Sequence, residues 1–315
     1  MTPRVVALGG GHGLAASLAA LRRITADLTA IVTVADDGGS SGRLRRELGA
    51  LPPGDLRMAL TALCGDDEWG RTWEQVLQHR FEGHGPLREH AVGNLLLVGL
   101  AEVLGDPVAA LDVVGRLLGA RGRVLPLSCI PLDIEADVLG LDPADPAAAR
   151  RVRGQVAVAT TTGSVVGVRL LPEDPPACPA AVTAVQEADW VVFGPGSWFT
   201  SVLPHLLVPE LAKALVTTPA RRVVVLNLAP QPGETEGFSP EAHLEVLVGH
   251  VPDLTFDVVL ADAAWVRDRL ALEATARGLG AEVVFAPVAR DDGTPRHDPA
   301  RLAAAYRRIL IGGDR

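Results

Sequence analysis

The stretch Arg4-Val-Val-Ala-Leu-Gly-Gly-Gly-His-Gly-Leu14 restricts this chain more than any other. Arg4 to Leu8 has the Val and Leu content of a buried strand, the glycines after it force a tight turn, and the Ala/Leu-rich run Leu14 to Leu21 suits a helix. A strand that enters a helix through glycines aims backbone N–H groups at one point. That point holds phosphates, and a Cβ there keeps the ligand off. Gly10, Gly11, His12 and Gly13 are therefore candidate ligand contacts. The plain alternative is a turn that binds nothing, because Gly9-Gly-Gly-His-Gly13 lacks the six-position spacing of the dinucleotide fingerprint.

A chain of 315 residues with 48% hydrophobic content can bury a large core, as one big domain or two small ones. Its net charge of −9 argues against nucleic acid and anionic membranes as partners. The single lysine, Lys213, follows no glycine, which excludes a Walker-type phosphate loop. Cys64, Cys129 and Cys178 show no paired spacing, so neither a zinc site nor a disulfide framework is expected, and a reducing compartment fits. Met1 to Arg4 leads directly into a strand without signal-peptide anatomy, and no uncharged apolar run nears membrane-spanning length. A soluble, cytoplasmic protein is expected.

Thr29 to Val34 predicts a second strand, running into Ala35-Asp-Asp-Gly-Gly-Ser-Ser-Gly-Arg-Leu44. Polar groups at the carboxyl end of such a strand sit where open α/β sheets bind ligands. Asp36 and Asp37 suit ribose or base groups, or a divalent cation; Ser40, Ser41 and Arg43 suit phosphate oxygens. Helix capping accounts for only part of that cluster. Asp55 and Arg57 open the next helix, where Asp favours the helix dipole and Arg opposes it. Helices are expected at Trp73 to Arg80 and Leu87 to Leu104, the second carrying His90 and a Gly93-Asn94 pair whose low helix propensity suggests close packing or a polar contact.

From 123 to 172 prolines interrupt the pattern and predict a β-rich insertion, with Gln155 to Val168 as a hairpin around Gly163-Ser164 and no obvious chemistry. The doubly wound pattern returns with a helix at Pro179 to Ala188 and a second strand and glycine turn, Asp189 to Ser201. Gly194, Gly196, Ser197 and Ser201 offer backbone and hydroxyl donors, while the missing glycine two after Ser197 argues against a nucleophile elbow. Strands are expected at Arg222 to Asn227, Asp257 to Ala261 and Glu282 to Ala286. Helices are expected at Glu241 to Val248, Trp265 to Ala276 and Pro299 to Ile311. Asn227, Gln231 and Glu234 belong to a polar rim, Asp298 suits an N-cap, and Arg296 is placed to reach a pocket.

Gly9 to Leu14, Val34 to Leu44, Pro52-Pro-Gly-Asp-Leu-Arg57, Gly93-Asn94, Gly194-Pro-Gly-Ser197 and Gln231-Pro-Gly-Glu-Thr235 together resemble the bacterial gluconeogenesis factor family, relatives of the 2-phospho-lactate transferase of deazaflavin cofactor synthesis. The resemblance covers nearly the whole chain. It implies a Rossmann-like, three-layer, doubly wound α/β fold of mostly parallel strands as a single domain over 1–315, often as a homodimer. It also implies a bound UDP-sugar, UDP-N-acetylglucosamine, with no required cofactor. The implied role is regulatory, in growth on gluconeogenic carbon, cell shape and peptidoglycan supply, with a regulatory protein partner reading the ligand. Arg296, His297 and Asp298 match a stretch implicated in ligand binding, and Asp36 and Asp37 match an acidic pair that contacts the deazaflavin acceptor in the transferase. The chain departs from the family pattern at His12 (usually Thr), Trp198-Phe199 (usually Leu-Tyr) and Gly154-Gln155 (usually Gly-Glu-Ser).

A ligand-sensing protein is the leading expectation, with Arg43, Arg57 and Arg296 neutralising a diphosphate. The rival is a phosphoryl or phospho-lactyl transferase in which Asp36 and Asp37 hold a divalent ion. An NAD-dependent dehydrogenase fits the first turn but lacks a convincing hydride-transfer partner.

Overall fold

The computed structural model describes residues 2–231 and 234–312, so residues 232 and 233 of the Gln231-to-Thr235 motif lie outside the described residues. Seven parallel strands form the main sheet: β1 (Val5–Gly9), β2 (Leu28–Val32), β3 (Arg123–Pro126), β7 (Trp190–Phe193), β8 (Arg221–Val225), β9 (Val258–Ala261) and β10 (Glu282–Phe285). Their order is β10-β9-β8-β7-β1-β2-β3. Every residue of β1, β7 and β9 is buried. Such unbroken apolar runs are what strands covered on both faces require.

The helices are α1 (Gly11–Leu21), α2 (Gly39–Leu48), α3 (Gly54–Ala62), α4 (Glu68–Gln78), α5 (Val92–Leu104), α6 (Pro107–Leu118), a short α7 (Gln155–Ala159), α8 (Pro179–Glu187), α9 (Pro209–Thr217), α10 (Pro240–His250), α11 (Arg269–Gly278) and α12 (Pro299–Arg307). Asp298 caps α12, accepting from the Ala300 and Arg301 N–H groups at 2.9 Å, as the sequence predicts. The last helix returns to the first, where Tyr306 Oη and Ser17 Oγ share a buried hydrogen bond of 2.7 Å. Among the described residues no single helix is long and apolar enough to cross a membrane.

The β insertion is narrower than expected. Arg123–Pro126 pairs in parallel with β2 and belongs to the main sheet. The inserted sheet is β5-β4-β6, built from β4 (Asp133–Leu139), β5 (Arg150–Arg153) and β6 (Ser164–Leu171). Alternate residues of β4 are buried, and its outward acids face arginines across the ladder, with Arg153–Asp133 and Arg169–Glu135 both at 2.5 Å. No hairpin forms over Gln155 to Val168: Gly154, at φ +104, ends β5, and Gln155–Ala159 coils into α7. β6 pairs with β4 instead.

One helix expectation is also corrected, and one helix is added. Leu87 is exposed and lies in a turn before α5, which starts at Val92. α6 was not anticipated, although Asp106-Pro107 and Gly119 cap it as start and stop signals.

Candidate functional site at the sheet switch point

From β1 the chain builds outward through β2 to β3, and later outward on the other side from β7 through β8 to β10. The crevice between the carboxyl ends of β1 and β7 is therefore the topological switch point, where doubly wound sheets bind ligands. Both glycine turns leave the sheet there. They are pressed together: a Cβ on Gly13 would lie 2.3 Å from the Pro195 carbonyl oxygen and 2.7 Å from Gly196 Cα. A Cβ on Gly10 would meet Asp55 Oδ2 at 2.5 Å, Thr33 Oγ1 at 2.7 Å and Ser201 Oγ at 3.3 Å. Gly11 and Gly194 have φ of +57 and +71, which other residues adopt only with strain. His12 is exposed at the mouth of the first turn.

The second turn is held from β8. Asn227 Oδ1 accepts from the Gly196 N–H at 3.0 Å and Nδ2 donates to the Gly196 carbonyl at 2.7 Å. Glu234 departs from its expected place on an open rim. It is buried, and its carboxylate accepts from Ser197 Oγ at 2.5 Å and from the Trp198 and Phe199 amides at the start of the π-helical turn Trp198–Val202. Burial pushes its carboxyl above the usual range. Gln231 stays at this loop, its N–H donating to Thr235 Oγ1 at 2.8 Å, while its buried Oε1 accepts no hydrogen bond among the described residues.

Three acids enter from the other half. Asp55 receives Thr33 Oγ1 at 3.3 Å and the Gly11 N–H, and removal from water, then the Asp36 charge, raise its pKa to about 6. Asp36 Oδ1 accepts from the Gly38 N–H at 2.9 Å. Asp37 Oδ1 accepts from the Val156 N–H at 3.0 Å, so the insertion, read from sequence as carrying no obvious chemistry, reaches the site. Gln155 continues that contact, with Nε2 3.5 Å from the Thr200 carbonyl. The sequence signal for it was the departure at Gly154-Gln155. Thr33, at the end of β2, was missed altogether. Among the described residues no three His, Cys, Asp or Glu side chains are grouped as a metal site.

Two of the three expected diphosphate arginines are engaged elsewhere. Arg57 is buried, with Nε donating to Asn94 Oδ1 at 2.9 Å and a second nitrogen donating to Gln78. Burial lowers its pKa to about 10. Asn94 Nδ2 donates to Ser40 Oγ at 3.0 Å, and Ser40 lies 3.0 Å from His90 Nδ1. Ser40, Arg57 and Asn94 thus form a closed network among α2, α3 and α5, which explains the Gly-Asn pair: a Cβ on Gly93 would strike Arg57 at 2.9 Å. Arg43 donates to the Pro86 and Arg88 carbonyls, the latter at 2.5 Å. Ser41 is buried, and its Oγ would meet a Cβ on Gly54 at 2.5 Å.

Arg296 is exposed, and its guanidinium makes no hydrogen bond among the described residues. Its neighbour His297 is buried beside the Leu226 carbonyl at the end of β8, and burial lowers its pKa to about 4. Asp262, after β9, accepts the Val288 and Ala289 amides at 2.8 and 3.0 Å, anchoring the same loop to the sheet's carboxyl edge.

A protein of Mycobacterium tuberculosis (strain H37Rv) named "Putative gluconeogenesis factor" is 62% identical over 307 residues, covering 96% of this chain and 89% of its own. The "Gluconeogenesis factor" of Listeria monocytogenes is 36% identical over 319 residues, covering 98% and 96%. A crystal structure of a UPF0052-family protein from Bacillus halodurans matches with a TM-score of 0.85 at 33% identity, over 96% of this chain and 98% of that one. The family described as 2-phospho-L-lactate transferase CofD matches residues 5–290, and this chain belongs to it.

Proposed function

We propose that this protein is a cytoplasmic gluconeogenesis factor that binds a UDP-sugar, UDP-N-acetylglucosamine, at the β1/β7 switch point. Binding regulates growth on gluconeogenic carbon, cell shape and peptidoglycan supply through a protein partner, with the chain acting as a homodimer. The observation that carries the reading is the Gly13–Gly196 contact, which brings the two glycine turns together at the switch point. The start of α1 lies at that meeting point and brings the positive end of the helix dipole to it. Arg296 is the arginine left to neutralise a diphosphate, and Asp37 and Asp36 are the acids assigned to sugar or ribose hydroxyls. Isothermal calorimetry with UDP-N-acetylglucosamine tests this. A regulatory site binds more tightly than about 100 μM, or about −5 to −6 kcal/mol, and absence of heat at that concentration sinks the reading.

A second reading, a transferase of phosphorylated lactate-like groups, draws on the family description and on Asp55. The charge of Asp36 opposes ionisation of Asp55. A divalent cation shared with ligand phosphates would relieve that repulsion and offset negative charge during transfer. Asp36 and Asp55 would hold it, in place of the expected Asp36 and Asp37 pair. Metal-dependent release of a nucleotide product would favour this reading over the first.

A further inference from the structure

Cys129 and Cys178 lie far apart in sequence and show no motif, yet the fold sets them side by side. The chain leaves the main sheet for the insertion through 127–132 and comes back through 172–178. The two passages are laced together, with the Cys178 N–H donating to the Leu127 carbonyl at 3.0 Å and Ser128 Oγ to the Pro176 carbonyl at 2.7 Å. At this neck the two thiols are close enough to shift each other's ionisation. They are unlike in surroundings. Cys129 is exposed and lines an apolar groove of about 280 Å³ with Leu51, Pro53 and Leu97; Cys178 is buried at the N-cap of α8. The Cys129 thiol, then the Ala181 and Ala180 amides, favour the Cys178 thiolate. Cys64 has neither partner, and burial pushes its thiol up to about 11.

We propose that Cys129 and Cys178 form a reversible dithiol–disulfide pair, oxidised by small disulfides of the glutathione type, that fastens the neck of the β insertion. Exposed Cys129 passes its proton to the neighbouring Cys178 thiolate, attacks one sulfur of the small disulfide and expels one small thiolate, which takes up that proton from Cys178. Cys178, as thiolate, then attacks Cys129 Sγ and expels the second thiol. Two protein thiols and one small disulfide become one protein disulfide and two small thiols, with two electrons transferred. The bond ties together both ends of the segment that delivers the Val156 N–H to Asp37, so it restrains a contact of the candidate site from a distance.

The test uses full-length protein equilibrated with excess glutathione disulfide, followed by intact mass, peptide mapping and amide hydrogen exchange. The expected result is loss of two hydrogens, a linked peptide pair containing Cys129 and Cys178, reversal by dithiothreitol, and exchange at 154–158 slowed by about threefold or more. Cys64→Ser leaves all of this unchanged, whereas Cys129→Ser abolishes the bond. Accumulation of a stable glutathione adduct on Cys129 with Cys178 still free, or a bond that forms in Cys129→Ser, overturns the pair. Exchange at 154–158 that is the same with and without the bond overturns the fastening of the neck.

Discussion

Asn227 grips Gly196 with both ends of its amide, accepting from the N–H at 3.0 Å and donating to the carbonyl at 2.7 Å. The end of β8 therefore sets the position of the turn that follows β7. Asn227→Asp keeps the acceptor, loses the donor and places a carboxylate against a carbonyl. A destabilisation of about 1–3 kcal/mol is expected by urea denaturation. UDP-N-acetylglucosamine binding should weaken by about tenfold, because misplaced donors cost more than missing area. An Asp variant with unchanged stability would show the grip to be idle.

Gly13 and Gly11 give opposite forecasts for one chemical change. A Cβ on Gly13 meets backbone atoms of Pro195 and Gly196 at 2.3 and 2.7 Å, so neither side can yield cheaply. Gly13→Ala should cost about 3 kcal/mol or more and abolish ligand binding. Gly11 has open space and only its φ of +57 to overcome, so Gly11→Ala should cost about 1–2 kcal/mol. Equal melting temperatures for the two variants would rule out the pressed turns.

Asp55 provides a pH test. Its folded pKa of about 6 lies above the ordinary 3.8, so the folded state binds its proton more tightly. That preference favours the folded state fully below 3.8 and is lost as pH rises through about 6. Asp55→Asn should therefore stabilise the protein at pH 8, with the gain shrinking between pH 6 and 3.8. Because Asp55 keeps an opening to solvent, the expected gain is about 1–2 kcal/mol. Differential scanning fluorimetry across pH reads it, and a gain independent of pH would reject the assignment.

Asp37→Ala removes the acceptor of the Val156 N–H. Exchange of that amide should accelerate about tenfold while the melting temperature stays nearly unchanged, because the contact lies between the insertion and the main fold rather than within either.

The frame was legible because its signals are local. Arg4 to Leu14 and Asp189 to Ser201 announce their strand-turn-helix units in consecutive residues, and β1, β7 and β9 carry the apolar runs that parallel strands need. The site was legible only where backbone geometry carries it. Gly10, Gly13, Gly196 and Asn227 converge as expected, since glycine turns at strand ends have few places to go. Arginine reach was not legible. Arg57 and Arg43 are long side chains whose partners, Asn94, Gln78 and the Pro86 and Arg88 carbonyls, come from distant segments. The hairpin expected at Gln155 to Val168 failed for a related reason. Its β-branched alternation is real, but β4 already offers both edges to β5 and β6, so Gln155–Ala159 is left to coil.

The pairing of Tyr306 with Ser17 sets a timetable for the ribosome. Helix α1 presents a face whose cover comes 289 residues later in the sequence, and Tyr306, fully buried when in place, is synthesised only after the entire sheet. Until then that face is unprotected, although helix and sheet form locally much sooner. Nascent chains stalled before Pro299 should consequently be captured by chaperones, and truncation ahead of α12 should deplete the protein.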